Sequence, residues 1–150
     1  MRNSKPLEWS DALLTGVAEI DQQHHILVDI LIEARASVSG ESSDLLFEGI
    51  SRDLLAYAIY HFDTEEQLMR RAAYETAMPE AAEGHLAQHR HFSKQVVALR
   101  LDAQLGKAGA KAALLAFLES WLVNHILTTD QSLGRFICSS GSMLLQGKKP

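Results

Sequence analysis

The sequence predicts an all-α protein, an antiparallel four-helix bundle preceded by an irregular N-terminal arm. Apolar residues recur at helical spacing through four long segments, and the strict apolar/polar alternation of a half-buried strand is hard to find. The segments, about 20 residues each, are joined by short links rich in Gly, Ser or Pro. Helices of that length span roughly 30 Å and, with short links, pack antiparallel to their neighbours. At 150 residues the chain is one domain's worth, able to bury roughly 70% of the surface its unfolded form exposes. Residues 1–150 therefore read as a single domain, with an arm over 1–18 and a loose tail over 139–150.

The first helix is expected from about Ile20 to Val38, with Ile20, Leu27, Leu31 and Ala34 on one stripe and Gly40 as its stop. Ser42 or Ser43 suits the cap of the second, which continues through Leu46, Ile50, Leu54, Tyr57, His61, Glu65 and Leu68. Pro79 suits the first turn of the third, which runs past His85, His89, Phe92, Val96 and Leu99 toward Gly106. The fourth spans about Ala110 to Leu127, with Leu114, Leu118, Trp121, Leu122 and His125 inward.

Composition removes several function classes. Lys plus Arg number 14 against 19 Asp plus Glu, a formal charge of −5, so no basic surplus exists for nucleic acid or an anionic bilayer. The longest uninterrupted apolar runs, Leu54 to Tyr60 and Ala112 to Leu118, fall well short of the ~20 residues of a membrane-spanning helix. Glu8 and Asp11 stand where a signal peptide would be apolar, so a cytoplasmic protein is expected. A single cysteine, Cys138, forms no internal disulfide, and no CxxC pair is present.

The histidines carry the chemistry. Each expected helix puts at least one on its apolar face. His61 and Glu65 are four apart, as are His85 and His89, so each pair projects from one face about a turn apart. His24 adds a nitrogen from the first helix, and His125 and Asp130 add a nitrogen and a carboxylate from the end of the fourth. Five imidazoles and two carboxylates overfill one metal centre but match a pair of ions sharing carboxylates, and the donor types suit iron, manganese or zinc. If both carboxylates and one oxide or hydroxide bridge, a metal with three histidines has six ligands. Its partner, with two, has five and keeps one position for a small ligand. His125 and Asp130 are five apart, which on a regular α-helix leaves their side chains roughly 140° apart, so a π-type turn or a break is expected between them.

From Trp9 to about Phe136 the chain resembles the bacterial hemerythrins. Its motifs are Gly16-Val17 with Ile20-Asp21-Gln22-Gln23-His24; His61-Phe62-Asp63-Thr64-Glu65-Glu66 with Met69; His85 with His89 and Phe92; and Trp121-Leu122-Val123-Asn124-His125-Ile126 with Asp130. The resemblance implies an up-down-up-down bundle and two irons joined by a bridging oxide or hydroxide. It implies His85, His89 and His125 on one iron, His24 and His61 on the other, and Glu65 and Asp130 bridging. It implies dioxygen binding at the iron held by His24 and His61, for transport, storage or scavenging, within an apolar pocket. Phe62, Trp121, Leu122 and Ile126 flank the ligands in sequence and are the candidates for that pocket.

Other residues read differently. His25 and His91 lie about 100° and 200° around their helices from His24 and His89, so both are expected at the surface. Glu66 reads as a solvated partner of Arg70 at i+4, Trp9 as packing for the arm, and Cys138 as inert. Gln23 and Asp21 are both placed to orient ligand rings, though a first-turn Asp is also ordinary helix-start chemistry. A binding protein is favoured over a diiron oxidase or peroxidase, because no Glu is followed by His three positions later, the pattern of the ferritin-like centres. An oxygen or redox sensor is the other alternative, with its protein partner left open.

Overall fold

A computed structural model describes residues 8–39 and 44–141. The sequence positions read as the stop and cap between the first two helices, Gly40, Ser42 and Ser43, lie outside the described residues, as do 1–7 of the arm and 142–150 of the tail. Among the described residues every regular element is helical. These are a 3-10 turn at Asp11–Leu13, α1 (Ala18–Ser39), α2 (Asp44–Arg71), the short α3 (Tyr74–Ala77), α4 (Pro79–Gln104), α5 (Ala110–Asn124), a π turn at His125–Thr129, α6 (Asp130–Phe136) and a second π turn at Ile137–Gly141. The long helices close a ring: α1 packs on α2 and α5, and α4 packs on α2 and α5.

The stripes read from sequence are the core. Ile20, Leu27, Leu31 and Ala34 of α1 are wholly buried, as are Leu54, Phe92, Val96, Leu114 and Leu118 from the other helices. Each large apolar side chain so buried contributes roughly 1.5–3 kcal/mol. Leu46 is a correction: it is 48% exposed, and Phe47 turns inward in its place. Phe47 stands three residues before Ile50 and Leu46 four, and either step lies on one helical face. The ring has the larger area to bury.

Two apolar clusters divide the interior. One contains Leu27, Leu31, Leu54, Ala58, Phe62, Phe92, Val96, Leu118 and Leu122. The other contains Ile20, Leu68, Met69, Ala72, Tyr74, Ala82, Leu133 and Ile137. Along every long helix the seven candidate ligands fall between the two: His24 between Ile20 and Leu27, Glu65 and His61 between Leu68 and Ala58, His85 and His89 between Ala82 and Phe92, His125 and Asp130 between Leu122 and Leu133. A polar layer is thus sealed between two dry ones.

The helical run after α5 goes further than expected. It does not stop at Leu127 but passes through the π turn into α6, and the second π turn takes in residues 139–141 that were read as tail. Gly134 reads locally as a breaker, yet here its missing side chain makes room: a Cβ there would stand 2.5 Å from the Thr15 carbonyl oxygen. The arm is held across α6 by that approach, by Gln131 Nε2 donating to the Leu14 carbonyl (2.9 Å), and by Cys138 Sγ donating to the Gly16 carbonyl (3.5 Å). Gly16 itself needs φ +93° to make the bend. The segment Ala110–Ser139 is, by length and composition, apolar enough to cross a membrane, although charged and polar residues interrupt its apolar runs. Its Leu114, Leu118, Leu122, Ile126 and Leu133 are buried in the bundle, and core helices meet that same criterion.

Candidate metal centre

Each ligand candidate owes its position to a helix face. His61 and Glu65 sit one turn apart on α2, and His85 and His89 one turn apart on α4. All seven candidates are buried, none more than 3% exposed. The five-residue step from His125 to Asp130 is accommodated by a π turn over His125–Thr129, in which the Asp130 amide donates to the His125 carbonyl. That i to i−5 bond widens the turn enough to bring both side chains to one side. Thr128 assists by donating its hydroxyl to the Asn124 carbonyl at 2.7 Å, a local bond that competes with the regular helix ladder.

Both carboxylates divide their oxygens between two groups of histidines. Glu65 Oε1 lies 3.1 Å from His85 Nε2, 2.9 Å from His89 Nε2 and 3.6 Å from His125 Nε2. Its Oε2 lies 3.3 Å from His61 Nε2 and 3.8 Å from His24 Nε2. Asp130 repeats the arrangement, with Oδ1 at 3.0 Å from His125 and 3.3 Å from His85, and Oδ2 at 2.7 Å from His24 and 3.9 Å from His61. Two sets of donor atoms each converge within 4.8 Å: Glu65 with His85, His89 and His125, and Glu65 with His24, His61 and Asp130.

Side chains behind the rings fix their orientation. The Nδ1 atoms of His61, His125 and His89 face Gln23 Oε1 (2.8 Å), Gln88 Oε1 (2.7 Å) and Glu66 Oε2 (2.8 Å). Each of these oxygens is an acceptor only, so each Nδ1 donates, and Nε2 is the atom turned to the centre. Gln23 Nε2 in turn donates to Thr64 Oγ1, and Thr129 Oγ1 donates to Gln88 Oε1. Glu66 is the second correction: it faces His89 across the helix interface instead of pairing with Arg70. Gln88 was not found from sequence, although its place one residue before His89 is the same cue that singled out Gln23 before His24. Asp21 turns away from the rings and accepts from Thr15 N, Thr15 Oγ1 and Gly16 N, which anchors the arm. His25 and His91 are exposed, and the Trp9 ring lies tilted against His25 while packing near Leu13, Val28 and Ile126.

The buried imidazoles and carboxylates shift one another strongly. Burial pushes the His61 imidazolium down, but Glu65 and Asp130 outweigh it and hold its pKa at about 10. The same contest leaves His85 at about 9, and His125 is raised too. Burial pushes Glu65 and Asp130 up, Glu65 pushes Asp130 further, and the surrounding imidazoles still hold both carboxyls well below their ordinary values. His61 Nε2, His125 Nε2, Glu65 Oε2 and Asp130 Oδ1 are buried without a hydrogen-bond partner. Unmet polar atoms cost about 1–3 kcal/mol each, and these four point where the donor sets converge. Metal ions would satisfy them together, and imidazole plus carboxylate without thiolate fits iron, manganese or zinc.

Apolar and aromatic residues enclose the layer. Phe62 stacks on His89 at 4.0 Å between centroids, and Trp121 stacks on His125 at 4.5 Å, so both sit against the three-histidine group. Leu122 shares a cluster with Leu27, and Ile126 packs with Val28 and Leu13. Val28 follows His24 by one turn, so Ile126 packs beside the helix face that carries His24, while Leu122 lies in the cluster shared by Leu27, Phe62 and Phe92.

The profile of the Hemerythrin HHE cation binding domain matches residues 15–137. A protein called bacteriohemerythrin from Stenotrophomonas maltophilia (strain R551-3) is 33% identical over 126 residues, 84% of this chain and 78% of that protein. One of the same name from Pseudomonas aeruginosa (strain LESB58) is 30% identical over 142 residues, 95% of this chain and 88% of its own length. Myohemerythrin-1 from Phascolopsis gouldii is 25% identical over 126 residues, 84% of this chain and 90% of that protein. A profile that spans both donor sets, and relatives aligned over most of their length, place the chain in the hemerythrin family.

Proposed function

We propose that the chain holds two iron ions and binds dioxygen reversibly, as a carrier, store or scavenger in the cytoplasm and not as an enzyme. His85, His89 and His125 would hold one iron, His24 and His61 the other, and Glu65 and Asp130 both. The observation that carries this reading is the division of each carboxylate, one oxygen toward three histidines and the other toward two. Membership of the hemerythrin family supports the iron pair and its oxide or hydroxide bridge. The order of the clusters supports an up-down-up-down bundle in one domain: α1 and α4 run from the Ile20 cluster toward the Leu27 cluster, and α2 and α5 run back.

Bound there, an iron pair would supply reversible one-electron chemistry at each ion and a place for one small exogenous ligand. The protein's part is selection and exclusion. Gln23, Gln88 and Glu66 lock three rings with Nε2 inward, so binding requires little side-chain reorganisation. Leu122 and Ile126, each 1% exposed, offer no proton and would help keep water from the metal layer. An oxidase would instead need a proton donor there.

Anaerobic reconstitution followed by metal analysis and optical spectroscopy tests the reading. Two irons per chain are expected, with near-ultraviolet and visible ligand-to-metal bands on oxygenation that fade on evacuation. Zinc gives no such bands. One iron per chain overturns the paired site. Irreversible oxidation that releases hydrogen peroxide at each turnover overturns the binding reading in favour of an oxidase.

A further inference from the structure

The three rings locked at Nδ1 are not locked alike. His61 and His125 are held by the neutral amides of Gln23 and Gln88, whereas His89 is held by the carboxylate of Glu66 at 2.8 Å. The Nδ1 atoms of the other two candidate ligands, His24 and His85, are buried with no hydrogen-bond partner among the described residues. Among the described residues, Glu66 is therefore the one charged group hydrogen-bonded to Nδ1 of any of the five imidazoles. Its side chain is 31% exposed and, with Phe62, Asp63, His89 and Arg90, lines a surface recess of about 360 Å³. His89 is thus the ligand whose back meets solvent through a carboxylate.

We propose that Glu66 is a positioning residue that, through its hydrogen bond to His89 Nδ1, strengthens electron donation from that ring's Nε2 and lowers the reduction potential of the metal it serves. The proposal rests on the iron reading above. A carboxylate accepting the Nδ1 hydrogen bond shifts electron density toward Nε2, and a more strongly donating imidazole stabilises the more highly charged ferric ion over the ferrous one. The charge stands on the three-histidine side, so the two irons are unequal in ligand character as well as in ligand number. The amides at His61 and His125 show the same bond without charge: they fix the ring and bring no carboxylate behind it. Glu66→Gln converts the third lock to the type the chain already uses twice, which separates charge from geometry.

The experiment compares the full-length wild-type chain, E66Q and E66A, each reconstituted with iron and titrated anaerobically with dithionite while the charge-transfer bands are followed. E66Q is expected to keep the wild-type iron content and unfolding midpoint. At a fixed poise its ferric-to-ferrous ratio should fall about tenfold, which is about 59 mV for a one-electron step. E66A should move at least as far and also bind iron roughly 10- to 100-fold more weakly, because the ring is freed. An E66Q chain with full iron and an unmoved reduction potential overturns the proposal, as does a reduction potential that moves only in E66A, which assigns Glu66 a purely steric role. A wild-type chain that takes up no iron overturns the iron reading and this proposal with it. The two failures are told apart by the wild-type iron content.

Discussion

Asp130→Ala removes more than one charge, and its cost follows from the contacts of a fully buried carboxylate. Oδ2 lies 2.7 Å from His24, and Oδ1 lies 3.0 Å from His125 and 3.3 Å from His85, so three imidazoles lose their counter-charge together. Truncating one partner of a buried ionic set costs about 3–5 kcal/mol, because the charges left behind stay desolvated. With a urea slope of about 2 kcal/mol/M, the midpoint of the metal-free protein should fall by about 1.5–2.5 M. Metal content should fall as well. The two-histidine group would keep only His24, His61 and one oxygen of Glu65, whereas the three-histidine group keeps all three rings and the other oxygen. Iron is therefore expected to drop from two ions toward one per chain. Asp130→Asn preserves volume and one acceptor, so it should recover part of the stability and little of the second iron. Urea denaturation of the metal-free variants, paired with metal analysis of the reconstituted ones, reads both effects. Two irons per chain and an unchanged midpoint in Asp130→Ala would refute the bridging role and the electrostatic argument together.

Gly134→Ala places a Cβ 2.5 Å from the Thr15 carbonyl oxygen and 2.8 Å from its Cβ, so the arm must shift; a loss of about 1–3 kcal/mol in denaturant unfolding is expected, and a neutral result would show that the arm is not seated there. Ala73 links α2 to α3 at φ 58°, ψ 40°, a left-handed conformation that glycine tolerates better, so Ala73→Gly should raise stability by about 0.5–1 kcal/mol, and a lowered melting temperature would contradict the strain. In the metal-free protein His61 and His85 titrate at about 10 and about 9 against an ordinary 6.5. A raised imidazole favours folding fully below pH 6.5 and loses that contribution as the pH climbs through 9 to 10, so stability should decline across this window. Metal must displace those same protons, so proton release should accompany zinc or iron uptake and apparent affinity should rise with pH to about 9–10; uptake without proton release, followed by calorimetry in two buffers, would count against it.

What the sequence made legible was whatever repeats at a helix's own period. Ile20, Leu27, Leu31 and Ala34 announce one face at steps of seven, four and three, and all are buried. His61 with Glu65, and His85 with His89, announce their convergence by the same step, and the five-residue interval before Asp130 signals the π turn by failing to fit it. The extension past Leu127 was hidden because its signals are tertiary. Gly134 stands in a helix where local chemistry says stop, and the reason is a backbone oxygen of Thr15 more than a hundred residues earlier. Leu46 against Phe47 was hidden too, since adjacent residues three and four positions from Ile50 satisfy the pattern equally well and ring size decides.

The groups behind the ligands follow a different geometry, which explains why one was anticipated and two were not. Each Nδ1 partner reaches from one helix to a ring on another: Gln23 of α1 to His61 of α2, Glu66 of α2 to His89 of α4, and Gln88 of α4 to His125 at the π turn. Two of the three stand directly before a ligand, and Glu66 directly after one, so each is turned about 100° from its own ligand's direction. A rotation of 100° carries the side chain off the centre and toward the neighbouring helix, where the back of the next ring lies. The partners therefore form a relay around the bundle, in which the helix that supplies one ligand also locks the next. Glu66 looked like an ordinary surface acid because its own helix offers Arg70 at i+4. The α2–α4 interface decides otherwise, since an exposed ion pair is worth about 0–1 kcal/mol, whereas a charge-assisted bond to a buried imidazole is worth more and leaves no donor unmet.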